Sequence, residues 1–177
     1  MYKFITGLPA KPISYSPILR SVKGIKYIVV HFTGNYSDTA YNNARFFNST
    51  NKEKVGAHLF IDDNYLYQSI TPDKIAYSVG KKYGIAKLWG KCTNANSISI
   101  ELCSKDGLPT EATLNNAEIA IMRLMNKYHI PVERVIRHFD VAGKLCPGWP
   151  GWSGNDSSEW FRFKSRFYSI KDKIENL

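Results

Sequence analysis

The stretch from Ile25 to Phe32 constrains the fold more than any other. Its centre, Ile28-Val29-Val30, runs straight into His31, and Gly34 then breaks it. β-Branched residues in an apolar run of this length predict a buried strand ending at His31. The segments that follow alternate in type. Asp38 or Thr39 can cap a helix reaching about Asn48, with Ala40, Ala44 and Phe47 on one face. His58-Leu59-Phe60-Ile61 and Tyr65-Leu66-Tyr67-Gln68 flank Asp62-Asp63-Asn64, a hairpin signal. Ile75 to Tyr77, Ser97 to Leu102 and Val135 to Arg137 predict further strands. Leu114, Ala117, Ile121, Leu124, Met125 and Tyr128 recur at helical spacing and predict a helix over 113–128. A last helix is expected over 157–176, with Trp160, Phe161, Phe163 and Phe167 partly buried. Pro9, Pro12 and Pro17 predict an irregular segment over 1–24. Strands alternating with helices point to the α/β class: a single domain over 1–177, with a central mixed β-sheet flanked by helices.

Composition narrows the functional classes. The 177 residues suffice for one domain with a real core. No apolar run approaches the roughly 18 residues that cross a bilayer, so no membrane insertion is expected. Met1 to Pro9 lacks the apolar core of a secretory signal, which predicts synthesis in the cytoplasm. The net charge of +9 suits a polyanionic partner: nucleic acid, a membrane surface or an anionic wall polymer. No zinc finger, basic zipper or RNA-binding aromatic motif accompanies the lysines, so no nucleic-acid partner is expected. Cys92, Cys103 and Cys146 cannot all pair with one another. Free thiols or metal ligands are expected, with a Cys92–Cys103 bridge as the alternative. Residues 80–96 form a polar loop rich in Gly and Lys, and loops of that length are uncommon unless they bind something.

Chemistry concentrates in Arg137-His138-Phe139-Asp140-Val141-Ala142-Gly143-Lys144-Leu145-Cys146-Pro147-Gly148, read as a loop. His31 and His138 both stand where an apolar strand gives way to a Gly-containing segment. Cys146 follows closely enough for the chain to return to the same point. Two imidazoles and one thiolate leave a fourth position open for water, which is the composition of a catalytic zinc site. Lys144 is expected to lower the pKa of Cys146. Glu101, at the end of its strand, is a candidate proton acceptor, and Lys144 a candidate for stabilising an oxyanion. Asp140 suits a supporting hydrogen bond or turn contact. His129 suits a helix C-terminus, and Trp149 and Trp152 suit either core packing or stacking on a ligand.

Four phrases in order resemble the zinc-dependent N-acetylmuramoyl-L-alanine amidases, which include phage endolysins and peptidoglycan recognition proteins. They are Ile28 to Thr33, Gly56 to Asp62, Asn96 to Glu101 and His138 to Pro147. The resemblance implies one zinc ion per chain, held by His31, His138 and Cys146. It implies that Glu101 orients or deprotonates water and that Lys144 polarises the scissile carbonyl. The bond cut would join N-acetylmuramic acid to L-alanine, with bacterial peptidoglycan as partner and the wall as the place of action after release. Tyr36, Asn96 and Tyr77 would border the cleft. His58 either contacts the muramyl group or sits satisfied in the core. Ala57 stands where some members carry a catalytic tyrosine, and Tyr77-Ser78 where many carry Trp-His. No wall-binding module is seen, and a monomer is expected. Two alternatives compete: a non-catalytic peptidoglycan binder, and a metal-free cysteine hydrolase using Cys146 with His138 as base.

Overall fold

A computed structural model describes residues 2–174 of the chain. Eight strands are present among them: β1 (Lys3–Ile5), β2 (Tyr15–Leu19), β3 (Tyr27–Phe32), β4 (Leu59–Ile61), β5 (Tyr65–Gln68), β6 (Lys74–Ala76), β7 (Ser97–Leu102) and β8 (Val135–Arg137). Four α-helices accompany them: α1 (Ala40–Arg45), α2 (Glu111–Tyr128), α3 (His138–Ala142) and α4 (Ser158–Ile174). Six strands form one mixed sheet in the order β1-β5-β4-β7-β3-β8. Within it β4 and β5 make the antiparallel hairpin, while β4, β7, β3 and β8 run parallel. β2 and β6 make a separate antiparallel pair. This is the α/β arrangement with a central mixed sheet that the sequence predicts.

The sheet divides its residues cleanly between two faces, because side chains alternate along a strand. Ile28 and Val30 of β3, Leu59 and Ile61 of β4, and Ile98, Ile100 and Leu102 of β7 share one face. They pack against Ala117, Ala120 and Ile121 of α2 and against the Trp160, Phe163 and Phe167 face of α4. Val29, His31, Ser97, Ser99 and Glu101 point to the other face. Ser97 and Ser99 are nonetheless fully buried, because the segments around β6 and residues 79–96 cover that side. Their alternation with isoleucine therefore marks two buried faces, not one wet and one dry.

Local signals set the element ends. Thr39 caps α1 by accepting from the Asn42 amide, and Thr110 caps α2 by accepting from the Thr113 amide. α2 stops at His129, which adopts the left-handed conformation at φ 53°. Asn116 donates to the carbonyls of Asp62 and Asp63, tying α2 to the hairpin turn.

Three expectations need correction. Residues 1–24 are not wholly irregular: β1 adds in parallel to β5, and β2 pairs with β6. Pro17 is tolerated because β2 sits in a two-stranded pair whose register breaks between Tyr15 and Leu19. The segment after Arg137 starts as a short helix, α3, and turns at Gly143, where φ is 73°. In α4, Trp160, Phe163 and Phe167 are buried, but Phe161 projects from the opposite side of the helix and is exposed. The predicted end of that helix, residues 175–176, lies outside the described residues.

Arg137 is the buried cation that joins β8 to the segment leading into α4. Its Nε and Nη2 grip the Asp140 carboxylate, and its Nη1 donates to the Trp152 carbonyl and the Ser157 hydroxyl. Replacing one partner of such a pair strands the other. Arg137→Met is expected to lower unfolding stability by about 3 kcal/mol in urea titration. Arg162→Ala, which removes an exposed ion pair with Glu159, is expected to change it by less than about 0.5 kcal/mol. Equal losses would contradict this ranking.

Candidate metal centre and active site

Parallel pairing of β3 with β7 sets His31 beside Glu101 as register partners. β8 pairs on the other side of β3 and delivers His138 as the first residue of α3. Chain reversal at Gly143 returns Cys146 to the same point, where the Phe139 amide donates to the Cys146 carbonyl at 2.9 Å. One candidate ligand atom from each of His31, His138 and Cys146 lies within 4.8 Å of the others. All three residues are buried. The rings of His31 and His138 stand 4.6 Å apart, and His31 Nδ1 lies 3.8 Å from Cys146 Sγ and 3.9 Å from Glu101 Oε1.

The chemistry of this donor set fits a zinc ion. His138 Nε2 lies 2.6 Å from the Val79 carbonyl, which can only accept, so that nitrogen carries the proton and Nδ1 keeps a free lone pair. Burial, and then the neighbouring His138 and Lys144, hold the His31 pKa well below the ordinary imidazole value. Burial likewise depresses His138, followed by a smaller effect of Lys144. Both rings are therefore neutral, which is the ligand form. Buried His31 Nε2 and Glu101 Oε2 have no hydrogen-bond partner within the protein. Unpaired polar atoms at such depth are costly, and a cation with its coordinated solvent is the kind of group that satisfies them.

Cys146 departs from expectation. Burial outweighs the pull of Lys144 and pushes the thiol up to about 12. A thiol in that state is a poor nucleophile without a cation to take its proton's place. Glu101 keeps about a fifth of its side chain exposed while Oε2 is sealed. Burial raises its carboxyl to about 8, against an opposing pull from Lys144. Lys144 itself is exposed on the segment between α3 and Cys146, and its charge acts on His31, His138, Glu101 and Cys146 together.

Other predicted residues fall elsewhere. His58 is buried at the start of β4, held by Ser99 on one side and by Arg20 and the Lys74 carbonyl on the other. That is a satisfied core position. Asn96 closes a cap with Thr93 at the beginning of β7, the end away from Glu101. Tyr77 lies beside Ser14 and Gly56, held through its backbone. Tyr36 is exposed on the segment after β3, with its ring against Gly107. Asp140 serves Arg137, and Trp149 and Trp152 pack in the core. Cys92 and Cys103 are free thiols buried in different clusters. Two supporting groups escaped the sequence reading. Val79 acts through a backbone carbonyl, which leaves no trace in residue type. Arg20 donates to the carbonyls of Pro72, Asn94 and Ser97 and so fixes the entry into β7 from a distant segment.

Comparison with known proteins settles the family. The family model described as N-acetylmuramoyl-L-alanine amidase matches residues 21–149. The chain belongs to that family. It is 31% identical over 160 residues to the amidase CwlL of Bacillus licheniformis, covering 87% of this chain and 42% of CwlL. It is also 31% identical to the amidase BlyA of Bacillus subtilis strain 168, covering 86% of this chain and 45% of BlyA. The chain thus spans less than half the length of these relatives. Among solved structures it resembles PlyL at 28% identity, with a TM-score of 0.71 and coverage of 93% of this chain and 94% of that one. The PlyG catalytic domain in solution matches at 27% identity with a TM-score of 0.73, over 92% of this chain and 91% of that domain. All four phrases singled out in the sequence fall inside the matched residues.

His58 provides a test by pH. Burial, with Arg20 beside it, lowers its pKa from 6.5 to about 3. The unfolded chain binds this proton near 6.5 and the folded chain does not, so stability is full above that pH. It falls as pH drops from about 6.5 towards 3. His31 and His138 act in the same direction. Urea midpoints measured from pH 7 to pH 4 are expected to fall, with a shallower fall in His58→Gln. An unchanged slope in that variant would contradict the assignment.

Proposed function

We propose that the chain hydrolyses the amide between N-acetylmuramic acid and L-alanine in bacterial peptidoglycan, using one zinc ion held by His31, His138 and Cys146. The observation that carries this reading is the convergence of those three donors beside Glu101 and Lys144, in a member of the amidase family. Zinc bound there supplies a Lewis acid that polarises the carbonyl and makes water acidic enough to attack near neutral pH.

The remaining steps belong to the protein. With a cation held by the three donors, whose charge would offset the effect of burial and keep the carboxylate ionised, Glu101 accepts a proton from the attacking water and returns it to the departing nitrogen as the C–N bond breaks. The acyl side leaves as the lactyl carboxylate of muramic acid, and L-alanine leaves with a free amino group. Lys144 lies on the solvent side, where its ammonium stabilises negative charge developing on the carbonyl oxygen. His138 is kept in one tautomer by the Val79 carbonyl. The high pKa of the Cys146 thiol weighs against its use as a free nucleophile. Glu101 and Lys144 beside the donors weigh against a purely binding role.

Glu101→Gln and Lys144→Ala are expected to retain zinc and lose turnover, each by about 2–4 kcal/mol in the barrier. Cys146→Ser is expected to lose zinc and turnover together. The measurement is release of L-alanine amino termini from purified cell walls, with metal content assayed in parallel. A chelator should abolish release, and added zinc should restore it. Near-normal turnover in Glu101→Gln would overturn its role, and chelator-resistant release would overturn the zinc mechanism.

A further inference from the structure

Apart from Lys144, the mechanism makes no use of a basic surface that adjoins the candidate active site. Between Asp73 and Glu101 the chain contains no acidic residue, and none stands between Asp140 and Asp156. These two stretches meet beside the candidate active site. The Tyr83 amide donates to the Ala142 carbonyl at 2.8 Å, and the Leu88 amide to the Asp140 carbonyl at 3.1 Å. At Gly143 the contact is backbone to backbone: a Cβ there would lie 3.0 Å from Gly84 N and 3.1 Å from Ile85 O. The resulting surface carries Lys81, Lys82, Lys87, Lys91 and Lys144, all exposed. Large apolar side chains stand among them. Ile85 is 91% exposed, Leu145 62%, Tyr83 56% and Trp89 41%.

We propose that segment 80–91, together with Leu145, is a docking surface for an anionic lipid bilayer. Lysines alone suit any polyanion. A hydrated polyanion gains little from an isoleucine presented almost wholly to solvent, whereas a bilayer interface rewards both features. Ile85, Leu145 and the two aromatic rings enter the headgroup and upper acyl region, and the ammonium groups of Lys81, Lys82, Lys87 and Lys91 stay among the lipid phosphates, leaving Lys144 to the active site. Among the described residues no helix is long and apolar enough to cross a membrane, so the contact is interfacial. The segment is anchored to α3 and, through Val79, to His138, so docking orients the candidate active site relative to the membrane. The proposal is independent of the amidase reading, because binding needs no turnover.

The test is co-sedimentation of the chain with vesicles of phosphatidylglycerol and phosphatidylcholine, and with vesicles of phosphatidylcholine alone. Trp149, Trp152 and Trp160 are buried and Trp89 is exposed, so a blue shift in tryptophan emission reports entry of this segment. Binding is expected only with the anionic vesicles, with a blue shift, and weakening as salt rises. Ile85→Ser, at a side chain with almost no contacts to lose, is expected to weaken vesicle binding about tenfold, as is the pair Lys81→Glu and Lys82→Glu. Ile85→Ser should leave hydrolysis of a soluble muramoyl-peptide unchanged. Absence of binding at low salt would overturn the proposal. So would binding indifferent to Ile85→Ser, or a soluble polyphosphate bound as tightly as the vesicles, either of which marks a plain polyanion surface.

Discussion

The pairing of β3 with β7 is the constraint on which the candidate site depends. Six consecutive residues of each strand lie in parallel register, from Tyr27 opposite Ser97 to Phe32 opposite Leu102. A slip of one residue would turn His31 and Glu101 into the face that packs on α2, and Ile28 and Val30 out of it. The hydrophobic pattern of both strands forbids that slip. The apolar core and the geometry of the candidate site are thus set by the same alternation.

Burial governs the electrostatics of the centre. It keeps both imidazoles neutral, and it pushes the Glu101 carboxyl and the Cys146 thiol upward. Each group is thereby left in a form that a divalent cation favours or converts. Support comes from outside the donors: the Val79 carbonyl fixes one ring, and the Arg137–Asp140 pair fixes the turn into α3. Lys144 remains at the surface, where it can meet a substrate without being buried itself.

Much of this was legible in the sequence, for physical reasons. β3, the β4–β5 hairpin, β7 and α2 announce themselves because periodicity and turn residues are local properties. His31, Glu101, His138 and Cys146 were legible because they punctuate apolar strands and Gly-bearing turns in a family order. What was not legible depends on distant segments. β1 is a strand because β5 offers it an edge. His58 is a core residue because Arg20, far away in sequence, reaches its ring. The Cys146 thiol rises because its surroundings exclude water, although Lys144 two residues earlier pulls the other way. Asn96 and Tyr77 lie near strand ends, yet their ends face away from Glu101 or are engaged by other segments.

The central claim is that His31, His138 and Cys146 converge on one zinc ion. X-ray absorption at the zinc edge, measured on the purified zinc-loaded chain, tests this most directly. The account predicts one sulfur and two imidazole nitrogens in the first coordination sphere, with the sulfur absent in Cys146→Ser. A sphere of light atoms only in the unmodified chain would contradict it.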